Sequence, residues 1–328
     1  MKLAGARVLV TGGAGFIGSH LVDNLVDEGA SVRVIDDFST GKKDNVNPKA
    51  ELLEGDIRDP AAIAHAMRDA TCVFHLACRG VRHSIGNPRE SHEVNATGAL
   101  VVLAEARKIG ARVVHVSTSE VYGTALRAPM DEEHPTYPET VYGGAKLAGE
   151  AYARAYFRTY GTPTVVVRPF NNFGPRSHHE GDSGEVIPRF AVRAMAGLAP
   201  VIYGDGTQTR DFIYVKDTAH WLCRIAEHDD LFGRTINLGS GVETSVNTLA
   251  ELVLRAVGRA DLVPERHPPR PGDVRRHLAD VTFAKKMLGF ELRTDMLDGI
   301  ANLIAHFKAR PEGIAALSSE ATTINWKA

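Results

Sequence analysis

The chain has 328 residues, 44% hydrophobic and 24% charged, enough for one large α/β domain or two coupled ones with a core that needs no disulfides. Its 38 basic and 40 acidic residues are spread along the chain, for a formal net charge of −2, which excludes the electrostatic footprint of a nucleic-acid binder and favours small-molecule partners. Cys72, Cys78 and Cys223 form no CxxC pair, and no apolar run reaches the length of a signal peptide or a membrane span, so a reduced, cytoplasmic setting is expected.

Short β-branched runs alternate with helical patterns from the first residues onward. RVLVT predicts a strand at 7–11, FIGSHLVDNLVDEG a helix at 16–29, SVRVID a strand at 31–36, and CVFHLA a strand at 72–77 after another helix-like segment. The rhythm continues with a helix over 91–109, a strand over 111–117, a helix over 141–160 and a strand over 163–170. The central strands are apolar throughout, as a sheet covered on both faces requires, so the expected fold is α/β with a doubly wound parallel sheet. Past residue 172 the rhythm breaks into Gly- and Pro-rich loops, with helices predicted over 186–197, 215–227 and 246–258. The expected division is a first domain over 1–171, with a return segment at about 213–239, and a smaller interleaved lobe over 172–212 and 240–328. Residues 311–328 carry no pattern.

Immediately after the first strand, TGGAGFIG sets Gly12, Gly15 and Gly18 in a GxxGxxG spacing. Glycines there allow a tight turn and close backbone approach, and the next helix offers unpaired N–H groups and its positive dipole end to a pyrophosphate. Glycines also serve plain turns, but SVRVIDD ends in Asp36, where a carboxylate can accept hydrogen bonds from adenosine ribose hydroxyls and repel a 2′-phosphate. The expected cofactor is therefore NAD rather than NADP. Asp56 in EGDIRD and Leu76 in HLA end later strands, where adenine and the second ribose could sit; by spacing alone they are equally well solvated loop ends.

VYGGAK places Tyr142 and Lys146 four positions apart, on one face of a helix. A lysine ammonium, aided by a cationic nicotinamide, would lower the phenol's pKa, and the phenolate could take the proton of a sugar hydroxyl. Tyr–Lys pairs at this spacing are common on helix surfaces; following the glycine motif and a strand that ends in Ser and Thr, the chemical reading leads.

Taken together and in this order, VLVTGGAGFIGSH, VIDDFSTG, HLA, STSEVYG, YGGAK, RPFNNFGPR and GDGTQTRDFIYVKD resemble the extended short-chain dehydrogenase/reductases that act as nucleotide-sugar epimerases and dehydratases. The resemblance spans nearly the whole chain. It implies a Rossmann sheet holding NAD at Gly12, Gly15, Phe16, Ile17, Gly18, Asp36, Asp56, Ile57, Leu76, Ala77, Pro169, Tyr142 and Lys146. It further implies that Thr118 pairs with the sugar O4, that Tyr142 is the base and that Lys146 tunes it and holds a ribose. Asn171, Arg210, Arg270 and Asp273 resemble the groups that hold the diphosphate and nucleoside of a UDP-, GDP- or dTDP-hexose, and Ser84 is placed near the sugar. The family commonly pairs subunits through helices like those at 91–109 and 141–160, so a homodimer is expected. Ala145 stands where the family often has serine, Gly143 and Gly144 loosen the first helical turn, and CRGVRHSIGNP (78–88) aligns uncertainly.

Every branch of that family oxidises the sugar C4 hydroxyl first, and the branches then diverge. Glu120, two residues after Thr118, would face the same crevice if the chain stays extended, and would have to serve as both base and acid in a 4,6-dehydration. The Thr-Ser-Glu order is similar to some 4,6-dehydratases and to UDP-glucuronate decarboxylases, although Ser119 replaces the aspartate that often protonates the departing C6 hydroxyl. The leading expectation is a 4,6-dehydratase, followed by a UDP-sugar 4-epimerase, a UDP-glucuronate decarboxylase and a non-enzymatic NAD sensor. His178, His179, Glu180 and Asp182 lie in a Gly-rich loop without metal-type spacing, so no metal is expected there and a mobile loop near the sugar is.

Overall fold

The computed structural model describes residues 1–321; residues 322–328 of the expected 240–328 segment lie outside them. The first half of the chain alternates strands and helices: β1 (Arg7–Thr11), α1 (Phe16–Asp27), β2 (Ser31–Asp36), β3 (Glu51–Glu54), α2 (Pro60–Ala66), β4 (Cys72–His75), α3 (Val81–Gly86), α4 (Pro88–His92), α5 (Ala99–Ile109), β5 (Arg112–Val116), α6 (Val141–Tyr160) and β6 (Thr164–Pro169). The second half is more irregular: β7 (Asn171–Phe173), α7 (Val186–Met195), β8 (Val201–Tyr203), β9 (Thr209–Tyr214), α8 (Val215–Glu227), β10 (Thr235–Leu238), β11 (Glu243–Ser245), α9 (Val246–Val257), β12 (Glu265–His267), α10 (Thr282–Leu288), α11 (Met296–Lys308) and α12 (Gly313–Glu320).

Seven strands form one parallel sheet in the order β10-β6-β5-β4-β1-β2-β3. Leu21, Val22, Leu25, Trp221 and Leu222 cover one face, and Ile63, Met67, Val102, Leu103 and Ala153 the other, which is why the central strands read as unbroken apolar runs. The chain leaves β3 and re-enters beside β1 at β4, so the strand order reverses there and the loops after β1 and β4 part to leave a crevice at their carboxyl ends. This is a Rossmann-like doubly wound sheet.

A three-stranded sheet (β11-β9-β7) and a two-stranded one (β12-β8) stand past those carboxyl ends, around a separate apolar cluster that includes Phe190, Phe212, Leu249 and Phe307. The chain returns to the large sheet where α8 packs on α1 and β10 pairs with β6, and again where Ala279, Val281, Ala284 and Phe290 join its core. Asp211, fully buried in β9, fastens this junction by accepting from the backbone N–H groups of Ser240 (2.6 Å), Gly241 (2.9 Å) and Ala279 (3.1 Å).

The predicted 91–109 helix starts earlier and is not uniform. Pro88 opens α4, a π-helical turn spans Glu93–Gly98, and only then does α5 run on. Within that turn Asn95 is buried and exchanges hydrogen bonds with the backbone of Arg79, and a Cβ on Gly98 would lie 2.6 Å from Ile57 Cδ1. The π-helical turn coincides with tertiary contacts at Asn95 and Gly98 that hydrophobic periodicity cannot report.

The helix that carries Tyr142 and Lys146 is positioned at both ends of its first half. Thr140 caps α6 by accepting from Gly143 N (3.2 Å), and a Cβ on Gly143 would lie only 2.8 Å from the Glu120 carbonyl oxygen, so glycine lets the first turn seat against the end of β5. Farther along, the fully buried Glu150 receives a bidentate pair from Arg168 of β6 (2.9 and 2.7 Å) and a third bond from Arg154 (2.9 Å). Burial opposes ionisation of Glu150, but the bonds and charge of Arg168 hold its carboxyl below the usual range.

Removing one partner leaves the other charge buried and uncompensated. Glu150→Ala is expected to lower stability by about 3–5 kcal/mol, measured as the shift in urea unfolding midpoint, whereas paired replacement of Glu150 and Arg168 by apolar residues costs less. Gly143→Ala forces the first turn of α6 away from Glu120 and is expected to cost about 1–3 kcal/mol in the same assay; an unchanged midpoint would show that the close approach is slack.

Candidate active site

One large cavity, about 420 Å³, opens at the carboxyl ends of the parallel strands and continues between them and the smaller sheets. Its floor begins where β1 ends. Thr11 Oγ1 pairs with His75 Nδ1 (2.8 Å) and accepts from Leu76 N and Ala77 N (3.2 Å each), fixing the end of β4 against the end of β1. The glycine turn is packed tightly over this junction: a Cβ on Gly12 would lie 2.7 Å from Ala77 N, and one on Gly18 only 2.1 Å from Gly12 O. Gly15 then opens α1 with no side-chain cap, so the amides of Phe16 and Ile17 at the cavity wall have no intrahelical acceptor.

Asp36 lines the same cavity. One of its oxygens accepts from Ala14 N and the other from Phe38 N (2.9 Å each), which holds the carboxylate beside the glycine turn with lone pairs to spare, while burial pushes its pKa up. A run of uncapped amides beside a fixed carboxylate fits the pyrophosphate and ribose of a dinucleotide. Ile57, Leu76 and Ala77 line the cavity as well. Asp56 does too, but its carboxylate is gripped by Arg58 through bonds of 2.5 to 3.0 Å, which hold its pKa low. Pro169 lies off the cavity wall, where the next residue, Phe170, stands instead.

Thr118, Glu120, Tyr142 and Lys146 converge on the crevice. The expectation that Glu120 follows Thr118 along an extended chain does not hold. Thr118 is extended (φ −164, ψ 155), but Ser119–Val121 is a 3₁₀ turn in which Thr118 Oγ1 accepts from Glu120 N (3.2 Å). A threonine at the end of a strand captures the next free amide and curls the chain, and the turn still delivers Glu120 to the cavity. Burial raises the Glu120 carboxyl's pKa, against the pull of Arg210, Arg82 and Arg270 and with a push from Asp273.

Thr118 lies near enough to Tyr142 to pull its phenol's pKa down, but burial outweighs it and pushes the phenol well above the usual value. The lowering expected from Lys146 does not arise within the protein. The buried Lys146 ammonium donates to Val116 O (2.6 Å), and its own pKa is lowered by burial.

Farther out, Asn171, Arg210, Arg270 and Asp273 share the cavity; Arg210 pairs with Asp273 at 2.7 Å and Arg270 approaches it at 3.7 Å. Ser84 does not reach it. Ser84 is buried in α3 and donates to Val81 O (2.6 Å), so α3 presents Arg82 and Ile85 instead. In the 178–182 loop, Glu180 meets Lys42 (2.7 Å) and His179 (3.0 Å), and Asp182 meets His83 (3.0 Å). Among the described residues no group of three or more His, Cys, Asp or Glu side chains is arranged to hold a metal.

Arg82 and Glu185 are among the cavity residues that escape sequence reasoning. Burial and the charges of Arg270 and Arg189 pull Arg82 down to about 9, and burial lifts Glu185 to about 7. Neither belongs to a periodic pattern: Arg82 falls in the segment whose alignment is uncertain and Glu185 at the end of a Gly-rich loop.

The sequence matches the model of the NAD dependent epimerase/dehydratase family over residues 8–239. It is 37% identical to a putative UDP-glucose 4-epimerase of Methanocaldococcus jannaschii, over 92% of this chain and 98% of that one. It is 34% identical to UDP-glucuronic acid decarboxylase 1 of Arabidopsis thaliana, over 93% of this chain and 70% of the relative. In structure it is similar to the dTDP-glucose 4,6-dehydratase DesIV of Streptomyces venezuelae, solved with NAD bound, with a TM-score of 0.87, 30% identity and coverage of 92% of this chain and 97% of the other. The glycine cradle, the carboxylate beside it and the Tyr–Lys helix thus find their explanation together: the chain belongs to the NAD dependent epimerase/dehydratase family.

Proposed function

We propose that the protein oxidises the C4 hydroxyl of a nucleotide-linked hexose and then eliminates water across C5 and C6. The observation that carries the second step is Glu120, a carboxyl with a raised pKa on the same wall as Thr118 and Tyr142. Bound NAD supplies the oxidising and re-reducing chemistry at the sugar. The amides of Phe16 and Ile17 would face its pyrophosphate and Asp36 its adenosine ribose.

Thr118 orients the sugar O4 and Tyr142 Oη takes its proton. Lys146, anchored on Val116 O, holds an ammonium beneath the site, and only together with the cationic nicotinamide of bound NAD would it offset the phenolate. Once C4 is a ketone, the C5 proton is acidic, and Glu120 removes it. Arg210, set by Asp273, and Arg270 present guanidinium forks suited to a diphosphate. The base could be uracil, guanine or thymine.

A 4-epimerase is the second reading, favoured by the 37% identity to an epimerase relative; that chemistry leaves Glu120 without a task. Decarboxylation of a uronic acid gains a cation from Arg82, for which no hydrogen bond or ion pair is found among the described residues. We also propose that copies pair through α5 and α6, where Leu100, Ile109 and Tyr160 are exposed apolar groups.

Tyr142→Phe is expected to abolish the rise in cofactor absorbance on mixing with substrate, because the O4 proton has no acceptor. Glu120→Gln should keep that rise and lose about 10²–10⁴-fold in water elimination; elimination at the wild-type rate would sink the dehydratase assignment. Asp36→Asn is expected to weaken NAD binding about 10- to 100-fold in calorimetry, the worth of a charged hydrogen bond, and to narrow the gap to NADP.

A further inference from the structure

Elimination of water from C6 needs two proton transfers, one from C5 and one to the departing oxygen. Glu120 can serve the first. Ser119, buried beside it, is too weak an acid for the second, so the wall formed by the 119–121 turn supplies one carboxyl where two are required.

The opposite wall supplies another. Glu185 stands immediately before α7, its backbone tied at both ends: its N–H donates to His178 O (2.8 Å) and its carbonyl accepts from Arg189 N (3.2 Å). The side chain makes no cap hydrogen bond to the helix, as expected of a glutamate, whose carboxyl reaches past the first-turn amides. It lines the cavity shared by Thr118, Glu120 and Tyr142, and its Oε2 is sealed from solvent without a hydrogen-bond partner. A buried carboxyl oxygen left without a partner is costly unless a ligand completes it. Its placement is enforced locally, because a Cβ on the preceding Gly184 would lie 2.8 Å from His179 O.

The charged groups around it are His178 and Glu180 of the adjoining loop, Arg82 of α3 and Tyr142 of α6. Burial lifts its pKa most, His178 and Arg82 pull it back, Glu180 adds to the lift, and the result is about 7. Such a carboxyl holds a proton for a good part of the time at neutral pH and can give it up.

We propose that Glu185 is the acid that protonates the departing C6 hydroxyl of a hexose, a role that rests on the dehydration reading above. In this step the C5–H bond breaks and its proton goes to Glu120, while its electron pair becomes the C5=C6 double bond. The C6–O bond breaks with its pair on oxygen, which takes the proton of Glu185 and leaves as water. No electrons are gained or lost overall, and Glu185 remains as a carboxylate. The ligand is thereby restricted to nucleotide hexoses with a free primary hydroxyl at C6.

The test compares wild type, Glu185→Gln and Glu120→Gln on a nucleotide hexose and on its 6-deoxy-6-fluoro analogue, in deuterated water. Fluoride leaves without a proton. The expected result is that Glu185→Gln eliminates water about 10²–10⁴-fold more slowly, still exchanges C5–H for deuterium, and regains near-wild-type elimination on the fluoro analogue, whereas Glu120→Gln is rescued in neither respect. Wild-type water elimination should fall as pH rises through about 7, and Glu185→Gln should lack that limb. Water loss at the wild-type rate in Glu185→Gln, or its failure to recover on the fluoro analogue, would overturn the role. Epimerised product without water loss from the wild type would overturn the dehydration reading itself, and the proposed role with it.

Discussion

The close approach between the first turn of α6 and the 3₁₀ turn after β5 is the constraint on which the site depends. Thr118 and Glu120 come from one element, Tyr142 and Lys146 from another, and the two meet because Gly143 carries no side chain toward the Glu120 carbonyl. What reads in the sequence as a pair of helix-weakening glycines is, at Gly143, the condition for contact. Lys146 completes the join from the helix side by donating to the last residue of β5, and the Arg168–Glu150 pair keeps the rest of the helix on the sheet. A one-ångström shift here would part Tyr142, the proposed proton acceptor, from Thr118, the hydroxyl proposed to orient the sugar.

Electrostatics then divides the cavity. Arg82, Arg189, Arg210 and Arg270 gather on the side of the small sheets, with Asp273 between two of them, and make a field that suits a diphosphate. Near the end of β5 and across from it before α7 stand Glu120, Tyr142 and Glu185, whose pKa values are all raised, with desolvation the first cause for each. A cluster of guanidinium groups at one end and carboxyl and phenol groups at the other suit the proposed substrate, whose charged part is not the part that reacts.

Much of the architecture is legible in local pattern. The strand at 31–36 and the helices at 141–160 and 215–227 fall where local pattern puts them, because apolar stripes, and for α6 the caps Thr140 and Gly161, act within a few residues. The glycine turn and Asp36 are legible because a strand, a turn and a helix must follow one another in short order. Where distant segments decide, the pattern is silent. The π turn before α5 answers to Ile57 and Arg79, Ser84 is consumed by its own helix, and the core contribution of 279–290 depends on Asp211 reaching Ala279. Nothing in the sequence around Glu120 distinguishes an extended chain from a turn; one amide-to-hydroxyl bond curls it, and its approach to the cavity rests on that turn. Arg82 and Glu185 carry no periodic signal, since their importance comes only from the walls that the fold sets opposite each other.

The central claim is that the carboxyl of Glu120 acts on C5 after C4 has been oxidised. The direct measurement is mass spectrometry and NMR of the products formed by the wild-type protein with NAD and a panel of nucleotide hexoses in deuterated water. The expected product has lost one water and carries solvent deuterium at C5; an isobaric C4 epimer without solvent label would contradict the claim.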